Sequence, residues 1–543
     1  MPRMVAVTAT TRPPVRRTPL SAIDRLRAGM PQDNRTAWLV ALGLMLVAFI
    51  TRVANLAYPN RLIFDETYYP KDAWSLWHFG YERSWPDGAN DLIIQGQTNV
   101  WNDGPANAVH PPMGKILIGL GEVLFGMNSF GWRIMAVIFG TLLIGATVLL
   151  VRRLARSTMI GAVAGILMIC DGLVFTMSRI GLLDIFQAFF IMAGVLAMVV
   201  DRDWFRGKLA DHLETLPVPD LKGSFGPVIY WRPWRLVAGL MFGCAVATKW
   251  NTLYVLAAFC LLTLAWDISA RHLAGGGKSA IWGLLRDGIP AFVLQVVVPG
   301  IIYLLSYLPW LLSTGGYMRD WGENNPDALS TRLLGKPLAS LIAYQINTYN
   351  FHTGDYIAEQ THPYATDPWS WPLMVRGIGF DAQNGIQAGQ QGCPTDAAEG
   401  CLRVINALGT PLLWWIGCVA LVLAILWWIG DRDWRFSVPV VGFMSVWLPW
   451  FQYDERPLYF FYAILLIPFT VTAVALMLGK LIGPAVTEES PPAARRRRLL
   501  GSWAAGIIVA LVVLNFAYFW PIYTDGLLTR EQWLNRMWFH SWI

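Results

Sequence analysis

The stretch FDETYYPKDAWS, residues 64–75, sets Asp65 and Glu66 side by side, with aromatics and a lysine close behind. Adjacent carboxylates in a loop are usually just solvated. These follow directly on a strongly apolar segment, where ionisable groups are costly to bury and commonly functional. A carboxylate there can serve as a general base, a metal ligand or part of a cation pathway, and the pair alone does not choose. Tyr68 and Tyr69 give the pair aromatic walls suited to a sugar or a peptide. A second group lies in NAVHPPMGK, residues 107–115. His110 there could act as a general acid, donate to a phosphate or simply pack in its loop, and Lys115 opens a short apolar helix. A third group is basic and lies at the ends of apolar segments: Arg133, Arg179, Lys249 and Arg456. Snorkelling to an interface would satisfy each one singly. Several converging on one cavity would bind an anionic headgroup. Asp184 is within reach of Arg179, and Asp171, inside an apolar run, needs a partner of its own.

The elements that must position these groups are membrane spans. Of 543 residues, 55% are hydrophobic and 14% charged, against about 25% charged in soluble domains. The 28 Trp suit belts at headgroup level. The net charge of +6 is read by its distribution and is not a nucleic-acid signal. A bilayer needs roughly 20 apolar residues per span. About eleven runs qualify, near 37–57, 132–151, 158–177, 181–200, 235–250, 252–267, 289–312, 410–429, 437–452, 458–479 and 502–521. The run from Met113 to Gly126 is too short and reads as a helix at the interface. With eleven alternating spans, the basic loops near 152–157, 201–235, 271–278, 431–435 and 494–498 share one side with an Arg-rich tail, residues 1–36. The positive-inside bias then predicts a cytoplasmic N-terminus, a disordered tail and an extracytoplasmic C-terminus. Residues 58–131, 313–409 and 522–543 fall outside, on a transmembrane domain of residues 37–521. The two long loops exceed ordinary connectors and are the functional candidates.

Four of the six Cys lie in apolar spans and read as small hydrophobes. Cys393 and Cys401, in CPTDAAEGC of the second outer loop, are expected to form a disulfide in that compartment. Aromatics of the same loop, Tyr344, Tyr349, Tyr364, Trp369 and Trp371, are candidates to stack on a sugar or wall an extended peptide. No GxxxxGK[ST], GxGxxG or HExxH pattern is present, so no recognisable device for nucleotide chemistry exists. An activated substrate or a gradient must supply the energy.

FDETYYPKDAWS, HPPMGK, the GWR at 131–133, SRIGLLD, ATKWN and THPYATDPWSWPL at 361–373 occur in an order that resembles the protein O-mannosyltransferases, above all their actinobacterial members. The likeness runs from about residue 37 to 521. The second loop has no room for the β-trefoil insert of the eukaryotic relatives. The resemblance implies an all-α, GT-C-type bundle of about eleven helices with two large outer loops. It implies an inverting enzyme of the cell membrane that moves mannose from polyprenyl-phosphate-mannose to Ser or Thr hydroxyls of secreted proteins. No cofactor and no metal are expected. Membrane lipid and Ser/Thr-rich acceptors are the expected partners, and a protein-secretion translocon is a further candidate. Asp65 matches the family's catalytic acid, Glu66 its neighbour, and Arg133 a basic residue important for activity. On this reading Asp65 is the general base and Glu66 orients acceptor or sugar hydroxyls. Arg133, Lys249 and Arg456 lead the candidates for the lipid phosphate, with Arg179, Lys115 and His110 behind them. Another GT-C transferase with a different sugar or acceptor is the alternative. A flippase fits less well, since the charges cluster at one face and no inverted repeat is evident.

Overall fold

The computed structural model describes residues 21–27, 29–453 and 455–543. Among the described residues, seven helices are long and apolar enough to cross a membrane, including Asn34–Val53, Gly131–Ala155, Asp184–Glu214 and Pro492–Tyr523. Three shorter apolar helices, Thr158–Ile169, Pro233–Val246 and Ile467–Ile482, complete most of the bundle. Each of the eleven runs read from the sequence meets a helix. The shortfall in length at the ninth run has a local cause: Ser437–Trp447 gives way to a 3-10 turn at Leu448–Gln452, with Pro449 in its first turn.

The third run is broken rather than straight. Thr158–Ile169 ends at Cys170, and Gly172–Met177 restarts with Asp171 as its N-cap. The buried Asp171 carboxylate accepts from the amides of Val174 (2.9 Å) and Thr410 (3.1 Å) and from the Trp414 indole (2.8 Å). The intramembrane acid is therefore served by neutral donors and a helix N-terminus instead of a cation.

One helix links the two ends of the bundle. Asp184 opens Asp184–Glu214, and Asp201 lies seventeen residues further on, about 25 Å along the axis. There Asp201 meets Arg232 and Arg235, which also hold Asp267, and all four are buried. This cluster ties three helices together at the end remote from Asp65. Residues 1–20 of the basic tail lie outside the described residues. Of the part from 21 to 36, read from sequence as disordered, residues 22–26 and 34–36 are helical. Ala22–Leu26 is a capped helix, Leu26 packs against Phe205, Leu209 and Leu213, and Arg27 pairs with Asp211 and Glu214.

The second loop holds the one departure from an all-helical reading among the described residues. Strand β1 (Ile378–Ile386) pairs antiparallel with β2 (Cys401–Ala407), and β2 pairs with the two-residue β3 (Leu528–Thr529) from the C-terminal tail. Cys393 and Cys401 are disulfide-bonded, eight residues apart. The Met113–Phe125 helix is where the short apolar run predicts one.

Candidate active site

Residues 58–69 form the turn that carries the two acids. Phe64–Thr67 is a single 3-10 turn, and Phe64 enters it at φ 49°, a left-handed conformation that bulky residues rarely adopt. Its ring packs on Phe380 of β1 (4.7 Å between centroids) and on Phe461 (5.4 Å), which offsets that strain. The second loop thus braces the first.

Glu66 is wholly buried and fully engaged. Its carboxylate takes a fork from Arg133, with Nε and Nη2 each 2.8 Å away, and accepts the amides of Gly181 (2.9 Å) and Ile63 (3.1 Å). The remaining Arg133 donors go to the carbonyls of Leu56, Pro59 and Arg61. Arg133 is placed by a close backbone approach: a Cβ on Gly131 would stand 1.9 Å from the Gly126 carbonyl oxygen. Two of the sequence assignments are corrected here. Arg133 has no donor left for a lipid phosphate, and Glu66 has no lone pair facing an acceptor. Together they clamp the turn.

Asp65 is the opposite case. It stays partly exposed, and no donor among the described residues reaches its carboxylate. Burial and the neighbouring Asp184 charge push its pKa up to about 6, with Lys249 pulling the other way. A carboxyl with free lone pairs and a pKa close to working pH is suited to take a proton.

Lys249 and Asp184, whose charges act on Asp65, line a cavity of about 710 Å³ that Asp65 itself does not line. Its lining combines the charged and imidazole groups of Asp184, Lys249, His110, His352 and Arg456 with apolar Leu253, Leu256, Val296 and Val446. Lys249 Nζ is held by both oxygens of Asp184, at 2.9 and 2.8 Å. Asp184 therefore pairs with Lys249 and not with Arg179. Arg456 Nη1 donates to the His352 carbonyl at 3.3 Å, and its Nε has no partner among the described residues. His110 stacks on His352 with centroids 5.3 Å apart and lies 6.1 Å from Tyr69. Burial, together with Lys249, Arg456 and each other's proximity, lowers the pKa of His110, and burial lowers that of His352. Both imidazoles are neutral.

Other expected residues fall elsewhere. Lys115 is buried against Glu82 and lies 4.0 Å from Asp72. Arg179 caps the Asn34–Val53 helix through the carbonyls of Arg52, Ala54 and Asn55. Both are spent on structure, Lys115 on carboxylates and Arg179 on helix-end carbonyls, and neither lines the cavity. Trp371 is fully buried against Trp450 and Tyr462, which rules it out as a stacking platform. Tyr344 is buried and donates to the Ala108 carbonyl. Tyr364 lies over Gly379 and beside Arg376, away from the cavity. Tyr68 and Trp369 are exposed, and Tyr69 adjoins His110. Tyr349 does line the cavity. The sequence reading missed His352; the aromatic run TYNFHTG offered only a lone His, with no sign that it meets His110. Among the described residues no cluster of three His, Cys, Asp or Glu is placed to hold a metal.

A bundle of this kind, with an acid turn and a half-apolar cavity at one end, is a membrane glycosyltransferase fold of the GT-C class. The S. cerevisiae protein O-mannosyltransferase Pmt1-Pmt2 complex bound to the sugar donor shares it, with a TM-score of 0.66 at 14% identity over 96% of this chain and 94% of that one. Residues 43–310 match the family model for dolichyl-phosphate-mannose-protein mannosyltransferase, and residues 338–542 that for the C-terminal four TMM region of protein-O-mannosyltransferase. Among curated relatives, a polyprenol-phosphate-mannose–protein mannosyltransferase of Mycobacterium tuberculosis is 34% identical over 94% of this chain and 93% of its own. One of Corynebacterium glutamicum is 33% identical over 93% of each. The chain belongs to the protein O-mannosyltransferase family.

Proposed function

We propose that the protein transfers mannose from polyprenyl-phosphate-mannose to Ser or Thr hydroxyls of polypeptides, by a single inverting displacement with Asp65 as general base. The observation that carries this reading is the Asp65 carboxylate, without a donor among the described residues and with its pKa near 6, within reach of the charges of a cavity lined by Lys249, Arg456 and apolar side chains. The apolar walls suit a prenyl chain. Lys249 and Arg456 suit its phosphate, whose charge grows as the sugar leaves. The acceptor hydroxyl attacks the anomeric carbon as Asp65 takes its proton, and the phosphate departs on the far side with the bonding pair. Retention would demand a second free carboxylate about 5 Å away. Glu66, the nearest in sequence, is locked to Arg133.

Asp184, the acid that lines the cavity among the described residues, already has Lys249 as its cation, which supports metal-independent transfer; EDTA should leave activity unchanged. The N-terminus faces the cytoplasm and the cavity opens on the other side, as the basic loops suggest. Secreted chains emerging from a translocon are the acceptors this arrangement suits. The test is transfer from defined polyprenyl-phosphate-mannose to a Ser/Thr/Pro-rich peptide in proteoliposomes. Wild type should transfer without any gradient, and Asp65→Asn should not. Transfer of another sugar in place of mannose would redirect the reading to a different GT-C chemistry.

A further inference from the structure

His352 is a cavity residue that the mechanism leaves unused. It comes from the Lys336–Thr353 helix and reaches the HPP turn, 242 residues earlier in the chain. Its Nε2 lies 2.9 Å from the Val109 carbonyl oxygen. A carbonyl only accepts, so Nε2 carries the proton. Burial, Lys249 and Arg456 all oppose a second proton, and only the Val109 bond favours one. The ring is neutral, and Nδ1 is left as a lone-pair acceptor with no partner among the described residues, on a residue that lines the cavity.

That acceptor constrains its ligand. A phosphodiester anion has no proton to give it, and its charge would repel the lone pair. The acceptor Ser or Thr has one hydroxyl proton, committed to Asp65. A sugar has several hydroxyls, and they lie between the base and the phosphate. His110, stacked on His352 and beside Tyr69, extends the same wall toward Asp65. We infer that His352 is a specificity-determining residue: its Nδ1 accepts a hydrogen bond from one hydroxyl of the donor sugar, and the His110–His352 stack forms a wall of the sugar subsite. This rests on the proposed transfer reaction.

The test uses full-length protein in proteoliposomes with polyprenyl-phosphate-mannose and its 2-, 3-, 4- and 6-deoxy analogues. Wild type should penalise one of the four selectively, by on the order of 10²-fold in kcat/KM, because a site that hydrogen-bonds a hydroxyl rejects the analogue lacking it. His352→Phe keeps the stack and removes the acceptor. It should lower kcat/KM for the mannosyl donor by a similar factor, leave that one analogue unaffected, and so abolish the discrimination. His352→Asn, which retains an acceptor oxygen, should recover part of it. Binding of sugar-free polyprenyl phosphate reports folding and should not change. Equal losses on all five donors, or weakened binding of polyprenyl phosphate, would overturn the inference and leave His352 a structural or phosphate residue. Absence of mannosyl transfer by wild type would instead remove the reaction on which it rests.

Discussion

Glu66→Gln separates the clamp from the base. Glu66 accepts four hydrogen bonds, two from Arg133 and one each from Ile63 and Gly181. Each Glu66 oxygen accepts one guanidinium N–H and one backbone N–H, so a glutamine, with one oxygen, must turn its amide N–H₂ on one donor of each kind. At least two bonds are lost, and Arg133 is left charged among the carbonyls of Leu56, Pro59 and Arg61. Removing one partner of a buried ion pair costs about 3–5 kcal/mol, so Glu66→Gln should destabilise the protein by about that amount in detergent unfolding. The turn that carries Asp65 then shifts, and a displacement of about 1 Å costs transfer on the order of 10²-fold. Arg133→Met should cost a similar amount. The double variant should fall short of the sum by about 1–3 kcal/mol, since either change alone already breaks the pair. Asp65→Asn should abolish transfer with stability unchanged or raised, because the fold disfavours the ionised carboxyl it removes. If Glu66→Gln left unfolding unchanged yet abolished transfer, the clamp would be wrong and Glu66 would have to touch substrate.

Three further outcomes follow from the same geometry. Transfer should rise with pH through about 6 as Asp65 ionises and fall away below it, because only the ionised form accepts a proton; a kcat/KM limb centred near 4 would contradict the buried setting. Arg456→Gln should raise the donor KM about tenfold through loss of a charge at the phosphate, while Arg179→Gln should leave KM alone and lower stability, as a cap of the Asn34–Val53 helix would. Cys393→Ser with Cys401→Ser should cost about 2–3 kcal/mol, the closure entropy of so short a loop, measured as a lower unfolding midpoint with kcat little changed.

The span pattern and the acid turn are legible in the sequence because both are local. Apolar runs of fixed length declare helices, and FDETYYPKDAWS declares an ionisable group beside one. The partners are not local. Arg133 and Glu66 are 67 residues apart, Lys115 and Glu82 are 33 apart, and Arg179 reaches Arg52 across 127. Each basic residue looked free in the sequence, and four of the five nominated are neutralised or capped by groups that only folding brings near; of these four, Lys249 alone lines the cavity. His352 escaped notice for the same reason, since its meaning lies in His110. The β1–β2–β3 sheet was missed because β3 is two residues long and its partner strand lies over a hundred residues upstream.

What folding leaves at the cavity is a small, balanced set of charges. Among the described residues, Lys249 and Arg456 face Asp184 and, above pH 6, an ionised Asp65, and the two histidines are neutral. These described charges sum to near zero before the donor arrives with its single negative phosphodiester charge. During the proposed transfer Asp65 goes from charged to neutral as it takes the hydroxyl proton, while the phosphate gains one negative charge as it becomes a monoester. The total does not change. One unit of negative charge moves from the base toward Lys249 and Arg456, groups already in place and needing no reorientation, which is the condition under which fixed charges lower a barrier in a poorly hydrated site. An extra free cation at the cavity, had Arg133 or Lys115 reached it, would bind the product dianion more tightly than the donor and slow its release.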